Sequence, residues 1–345
     1  MPQVSTPLTR LLQINTPIIA PPMALAHGGV LAANAYLGGG FGFIAAGYRS
    51  KEWLQSELDN ARGLLSPSRS LPVGVGYFGW ELDKQGKEGE KMIEVALEND
   101  IRAVWLSFGD NLEKYVKFVR EHPRGKDTAV FVLISTVDEG RAVVQDWKVK
   151  PDVLVCQGNE SGGHGRSASP PLSTLLPTIL ALLQSSQSKM IPVAAGGLAH
   201  SSHIASALTA GASGVVMGTR FLLTPESFYP PHFQERLLKA KAEDTVRTEA
   251  FDRARGTTEW PVGVDGRGLI NETVRDFDKG ISEDELVEKY KQAAEKKDPS
   301  RLVVWSGTGI GMIGEGGLRP TKDLIRELND GCVRYLRDAA KLLED

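Results

Sequence analysis

The chain predicts an α/β fold, a (β/α)8 TIM barrel carrying a smaller, mainly helical insertion domain, and three observations lead there. Short apolar runs alternate with longer amphipathic segments eight times before residue 220, the count of a closed parallel barrel. The runs are short, apolar and mostly not alternating, as expected for parallel strands covered on both faces. The first run ends in Ala20-Pro21-Pro22-Met23-Ala24. A doubly wound open sheet would place a Gly-x-Gly-x-x-Gly turn at that point.

Residues 17–20 form the first predicted strand, and 28–38, rich in Ala and Leu, the helix after it. Strand two covers 41–46 with helix 52–65, and strand three covers 71–75 with helix 88–99. Strand four is 103–106, followed by helix 112–121; strand five is 129–134, followed by helix 137–145. Strand six, 153–156, runs into a glycine-rich loop and a helix over 172–185. Strand seven, 191–194, leads to helix 201–210, and 214–217 is strand eight. There the alternation stops. Residues 226–300 carry turn clusters, aromatics and charged helices, read as a mainly helical insertion that completes the active-site cover. Residues 1–225 and 301–345 make the barrel unit, whose last part holds a second glycine-rich turn, Ser306-Gly307-Thr308-Gly309-Ile310-Gly311, and a terminal helix over 321–343.

Composition narrows the function classes. The net charge of −3 comes with scattered lysines and arginines and no basic block, which argues against a nucleic-acid surface. No apolar run is long enough to span a membrane, and residues 1–13 lack the charged and apolar regions of a secretory signal, so a cytoplasmic protein is expected. Leu342-Leu343-Glu344-Asp345 matches no organelle address. Two cysteines make no disulfide framework, and Cys156, at the end of an apolar run, reads as a small buried hydrophobe. Without a CxxC pair or an HExxH helix no metal site is expected. The expected partner is a small-molecule substrate of a monomer or homodimer.

In a barrel, function collects on the loops that follow the strands. Four such loops have the composition of a ligand site. Pro21-Pro22-Met23-Ala24 sets rigid proline beside a soft apolar side chain, suited to backing a planar ring, or it is simply a strand-ending turn. Gln157-Gly158-Asn159-Glu160-Ser161-Gly162-Gly163-His164 ends strand six with an amide and presents one imidazole, the side chain that titrates near neutrality. The bland alternative is a tight turn with a solvated histidine. Ala195-Gly196-Gly197 and Met217-Gly218-Thr219 follow strands seven and eight, where barrels bind phosphate on bare backbone N–H groups at a helix start. Glu160 reads as an anchor for the loop or a helix end. His27 lies in the loop after strand one and is a second candidate at the site. His200 and His203 read as cap or surface residues, and His122 and His232 as surface residues.

With these residues assembled, the chain resembles the nitronate monooxygenase family, formerly the 2-nitropropane dioxygenases. The likeness rests on Pro17-Ile18-Ile19-Ala20-Pro21-Pro22-Met23, on Gln157 through His164, on Ala195-Gly196-Gly197 and on Met217-Gly218-Thr219-Arg220-Phe221-Leu222-Leu223-Thr224-Pro225-Glu226. It implies non-covalent FMN, with the phosphate on the loops after strands seven and eight, Met23 beside the ring and Gln157 on the isoalloxazine. It makes His164 the catalytic proton-transfer residue. The reaction implied is oxidation of alkyl nitronates, or of nitroalkanes, by O2 to a carbonyl compound and nitrite. Cofactor contacts are then expected at Ala20, Pro21, Pro22, Met23, Gly76, Gln157, Gly162, Gly163, Ala195, Gly196, Gly197, Met217, Gly218 and Thr219. A substrate pocket is expected from His27, Tyr77, Phe78, Ser306, Gly307 and Thr308.

The chain also departs from the family. Family members often carry Asn on the third strand, where this sequence has Val73-Gly74-Val75-Gly76, and a family Gly-Gln-Gly reads Gly307-Thr308-Gly309. These departures bear on the substrate more than on the cofactor. A close alternative is an NAD(P)H-dependent FMN reductase acting on quinones or enoyl thioesters. A more distant one is a flavin-free phosphosugar isomerase or lyase, which would want a lysine or carboxylate at a strand end.

Overall fold

The computed structural model describes residues 3–66, 70–314 and 317–343; Met1, Glu344 and Asp345 lie outside them. The strands are β1 (Ile18–Ala20), β2 (Phe41–Ala45), β3 (Leu71–Phe78), β4 (Ile101–Ser107), β5 (Ala129–Ile134), β6 (Val153–Gln157), β7 (Gly163–Arg166), β8 (Ile191–Ala195), β9 (Val215–Val216), β10 (Thr245–Thr248) and β11 (Val264–Leu269). β1-β2-β3-β4-β5-β6-β8-β9 form a closed barrel. All neighbours are parallel, and β9 closes on β1 through Ile18↔Val215 and Ile19↔Val216. The predicted (β/α)8 barrel is thus the observed one, and the predicted helices 112–121 and 172–185 form as Leu112–Glu121 and Leu172–Ser185.

Two apolar layers hold the barrel. Between strands and helices lie Ile18, Ile44, Val75, Val104, Val130, Leu154 and Val215 with the inner faces of the helices. Inside the ring lie Ile19, Phe41, Phe43, Trp105, Phe131, Val155 and Val193. The split follows from strand geometry, since successive side chains point to opposite faces. Phe43 meets Trp105 and Phe131 edge-on, with ring centroids 5.2 Å apart in both pairs. Gly74 makes this layer possible: a Cβ there would stand 2.3 Å from the Phe43 ring. The helix Pro7–Leu12 carries Leu8 and Leu12 into the same inner cluster and plugs one end of the barrel. The terminal helix Thr321–Ala340 packs Leu324, Ile325, Leu328 and Cys332 into the outer layer.

Three differences from the sequence reading matter for the site. Strand three runs on through Tyr77 and Phe78, and Trp80 lies in the first turn of an additional helix, Gly79–Gln85. The helix predicted over 137–145 is α-helical only over Val137–Arg141 and continues as a π-helix, Ala142–Asp146. Within 226–300, helices Pro231–Lys239, Ala250–Arg255, Glu272–Asp278 and Glu283–Glu295 are joined by two strands, β10 and β11. These pair antiparallel with each other and with β7 in the order β10-β11-β7. The glycine-rich loop after β6 is therefore itself a strand of a small sheet. Period-two patterning cannot reveal it, because Gly163-His164-Gly165-Arg166 has no apolar face to alternate.

Candidate active site

One cavity opens at the C-terminal ends of the barrel strands. Its wall draws on every loop singled out above: Pro21, Pro22 and Met23 after β1, Phe78 at the end of β3, Gln157 with Gly162, Gly163 and His164, then Ala195, Gly196 and Gly197, Gly218 and Thr219, and Gly307. Trp105, Ser107, Phe108, Leu133, Tyr229, Trp260 and Trp305 complete it. No lysine, arginine or carboxylate lines this cavity among the described residues, and His164 is its one side chain that ordinarily titrates near neutrality.

His164 is held by the small sheet. It pairs with Gly266 of β11, and its Nε2 lies 3.0 and 2.9 Å from the two carboxylate oxygens of Asp252. Its ring stacks on Trp260 at 3.6 Å between centroids, with planes 12° apart, and Trp305 stands 5.1 Å away. Burial lowers the imidazole below its usual range, and the Asp252 carboxylate opposes that shift. Arg247 of β10 braces the loop from behind. Its guanidinium donates to the Ser161 carbonyl at 2.8 Å and pairs with Asp265 at 2.9 Å. Glu160 accepts the Leu172 amide at 3.0 Å and so anchors the start of helix Leu172–Ser185.

The two glycine bends differ in what a side chain would meet. Gly196 and Gly197 have φ of +104° and +69°, and a Cβ would stand 2.9 Å from the Gly158 carbonyl oxygen or from Glu160 Cβ respectively. Only glycine suits both constraints. At Gly218 a Cβ would find Met23 Sδ at 3.4 Å and Pro21 Cγ at 4.0 Å, ordinary van der Waals contacts. The amides of Gly196, Gly197 and Gly218 make no hydrogen bond among the described residues. The Gln157 side-chain nitrogen donates to the His164 carbonyl, while its Oε1 is buried without a partner among the described residues.

Several expected contacts lie elsewhere. Tyr77 faces the helix layer, its hydroxyl donating to the Met92 carbonyl at 2.9 Å, because it is offset by one residue from the inward positions of β3. Gly76 faces inward but meets Pro22, whose Cγ would lie 2.2 Å from an added Cβ. Ala20 and Met217 are buried in the outer layer. Ser306 is buried, with its hydroxyl donating to the Gly307 carbonyl, and Thr308 donates its amide to Glu160. His27 is buried and its Nδ1 donates to the Pro21 carbonyl at 2.6 Å, so it supports the first loop from outside the cavity. Desolvation takes its pKa to about 3, which keeps it neutral.

The sequence reading missed Asp252, Trp260 and Trp305. Their one advance signal is the aromatic content of a segment that follows the last barrel strand. Of the other histidines, His200 caps helix Ser201–Thr209 through Nδ1 and the Ser202 amide. Cys156 is fully buried, and burial pushes its thiol up to about 12, as suits a packing residue. The described residues contain no group of side chains arranged to hold a metal ion. They contain no helix long and apolar enough to cross a membrane.

A closed barrel whose strand ends frame an apolar, glycine-bordered cavity around one imidazole–carboxylate pair defines an α/β-barrel enzyme. The family model described as nitronate monooxygenase matches residues 79–331, and the chain belongs to that family of oxidoreductases. A nitronate monooxygenase of Neurospora crassa is 31% identical over 94% of this chain and 90% of its own length. One of Metarhizium robertsii is 31% identical over 94% and 91%. Among solved structures, FabK from Thermotoga maritima superposes with a TM-score of 0.78 at 25% identity, covering 99% of this chain and all of its own. A nitroalkane oxidase from Streptomyces ansochromogenes superposes with a TM-score of 0.75 at 26% identity, covering 96% and 99%.

Proposed function

We propose that the protein oxidises alkyl nitronates, and nitroalkanes after deprotonation, with FMN as cofactor and O2 as oxidant, releasing a carbonyl compound and nitrite. The reading agrees with the family and with the nitroalkane oxidase likeness. The observation that carries it is the convergence of three features on one cavity: two bare-backbone bends, an unpartnered Gln157 oxygen and a carboxylate-held imidazole.

The residues fit a flavin mononucleotide. Free amides at Gly196, Gly197 and Gly218 suit a phosphate, since N–H groups aimed at an anion need no cationic side chain. Gln157 Oε1 is positioned to accept from a ring N–H, and Met23 with Pro21 and Pro22 offers an apolar backing. When bound, the flavin supplies the redox chemistry, drawing electrons from the nitronate and passing them to O2. The chain's own residues orient the substrate, exclude water with Phe78, Phe108, Trp260 and Trp305, and take up or hold a proton at His164.

The test is aerobic turnover of ethylnitronate and propionate-3-nitronate by FMN-loaded protein, following O2 consumption and nitrite. Both signals should require flavin and persist without NADH. A protein that forms no nitrite, and whose flavin is bleached within the mixing time by anaerobic NADH, is a reductase instead. A colourless preparation that binds phosphate but no flavin would return the barrel to the isomerase or lyase class.

A further inference from the structure

We infer that Asp252 is a positioning residue that selects which nitrogen of His164 handles protons: its carboxylate engages Nε2–H and leaves Nδ1 as the proton-accepting atom. The inference rests on the nitroalkane reading above and assigns the deprotonation step within it.

The geometry is specific. Both Asp252 oxygens lie within hydrogen-bond distance of the same ring nitrogen. An ionised carboxylate can only accept, so Nε2 carries the hydrogen and the neutral ring has its lone pair at Nδ1. Nδ1 makes no hydrogen bond among the described residues, although His164 lines the cavity. The carboxylate cannot easily turn away, because Thr257 Oγ1 donates to its Oδ1 at 2.8 Å and Arg255 lies 3.6 Å off. Stacking on Trp260 holds the plane of the imidazole, and the contact with Asp252 fixes which edge faces the carboxylate. Asp252 also borders a second, surface cavity with Glu249, Arg253, Thr257, Trp260 and Glu283. The pair therefore separates the apolar chamber from a polar vestibule, with the imidazole bordering the first and the carboxylate the second.

In the step this supports, the Cα–H bond of a neutral nitroalkane breaks and its proton forms an N–H bond at Nδ1. The electron pair stays on the substrate as the nitronate. The imidazolium is balanced by Asp252, while Arg255 and Arg247 on neighbouring elements oppose its charge and Asp265 favours it. An alkyl nitronate arrives already deprotonated and skips this step. Asp252 should thus matter far more for nitroalkanes than for nitronates.

The test compares holoenzyme and D252N on nitroethane and ethylnitronate across pH, and reads the His164 tautomer by 15N NMR of the resting protein, with His164→Asn assigning the signal. The nitroethane-to-ethylnitronate ratio of kcat/KM should fall by about 100-fold or more, the scale of a lost general base. The acid limb for nitroethane should move to lower pH, because the carboxylate that favours the protonated ring is gone. NMR of the wild type should show Nε2–H with an unprotonated Nδ1, and D252N should lose that preference. Equal losses on both substrates, or a wild-type ring protonated at Nδ1 alone, would overturn the inference. If the wild type oxidises neither substrate, the proposed function fails, but the wild-type tautomer still decides whether Asp252 sets the reacting nitrogen, even if D252N does not fold.

Discussion

The side-chain amide of Gln157 donates to the main-chain carbonyl of His164 at 3.0 Å, tying the last residue of β6 to the strand that carries the imidazole. This one bond spends the amide nitrogen on protein, while the oxygen is buried without a partner among the described residues. Gln157→Leu removes both functions at similar volume. It should weaken FMN about tenfold or more, the worth of one buried hydrogen bond, as measured by fluorescence titration of the apoprotein. Unchanged affinity would mean that the oxygen has no ligand role.

Gly218 and Gly29 separate binding from folding. A Cβ at Gly29 would stand 1.8 Å from the Glu57 carbonyl oxygen, whereas at Gly218 it meets Met23 Sδ at 3.4 Å and Pro21 Cγ at 4.0 Å, ordinary van der Waals contacts. Gly29→Ala should be strongly destabilising, by about 3 kcal/mol in denaturant melts, because backbone must move. Gly218→Ala should leave the apoprotein melt within about 2 °C of wild type while the purified protein loses its flavin. A yellow, fully loaded Gly218→Ala protein would place the phosphate elsewhere.

His27 predicts a pH dependence of stability. Its folded pKa, about 3, lies below the ordinary value of 6.5, so the unfolded chain binds the extra proton between those limits. The stabilisation is complete above about pH 6.5 and is lost as the pH falls toward 3, with a limiting slope of about 1.4 kcal/mol per pH unit. His27→Gln should flatten the slope of unfolding free energy between about pH 6 and 4 by nearly one proton. Parallel curves for the two proteins would show that His27 takes up its proton while folded.

Arg247 and Asp265 form a buried pair, with side chains 8% and 12% exposed. Removing one partner strands the other, so Arg247→Met should cost about 3–5 kcal/mol. The double variant Arg247→Met/Asp265→Leu should recover part of that loss. If the double variant is no more stable than the single, the bonds from Arg247 to Ser161, and not the ion pair, dominate.

Much of this protein is legible in one dimension. Apolar runs bounded by glycine and proline marked all eight barrel strands, because a strand buried on both faces tolerates little else. The same logic located Pro21 to Met23, Gln157, His164, Gly196 and Gly218, since each ends or follows a strand and barrel topology gathers those ends at one rim. Strand parity decided against Tyr77, since β3 runs three residues past the predicted end at 75 and turns alternate side chains to opposite faces. His27 shows that a residue next to a site loop can serve it from behind.

What the sequence by itself determined is the ring of strands and the loops that surround its mouth, because both are written in local patterns of burial and glycine. Only the tertiary structure decided which groups govern the imidazole. Asp252 lies 88 positions from His164 and reaches it through a small antiparallel sheet with no periodic signature, and Trp260 arrives from an irregular loop. Contacts between such distant, aperiodic segments are set by the packing of the whole chain, and no local rule encodes them.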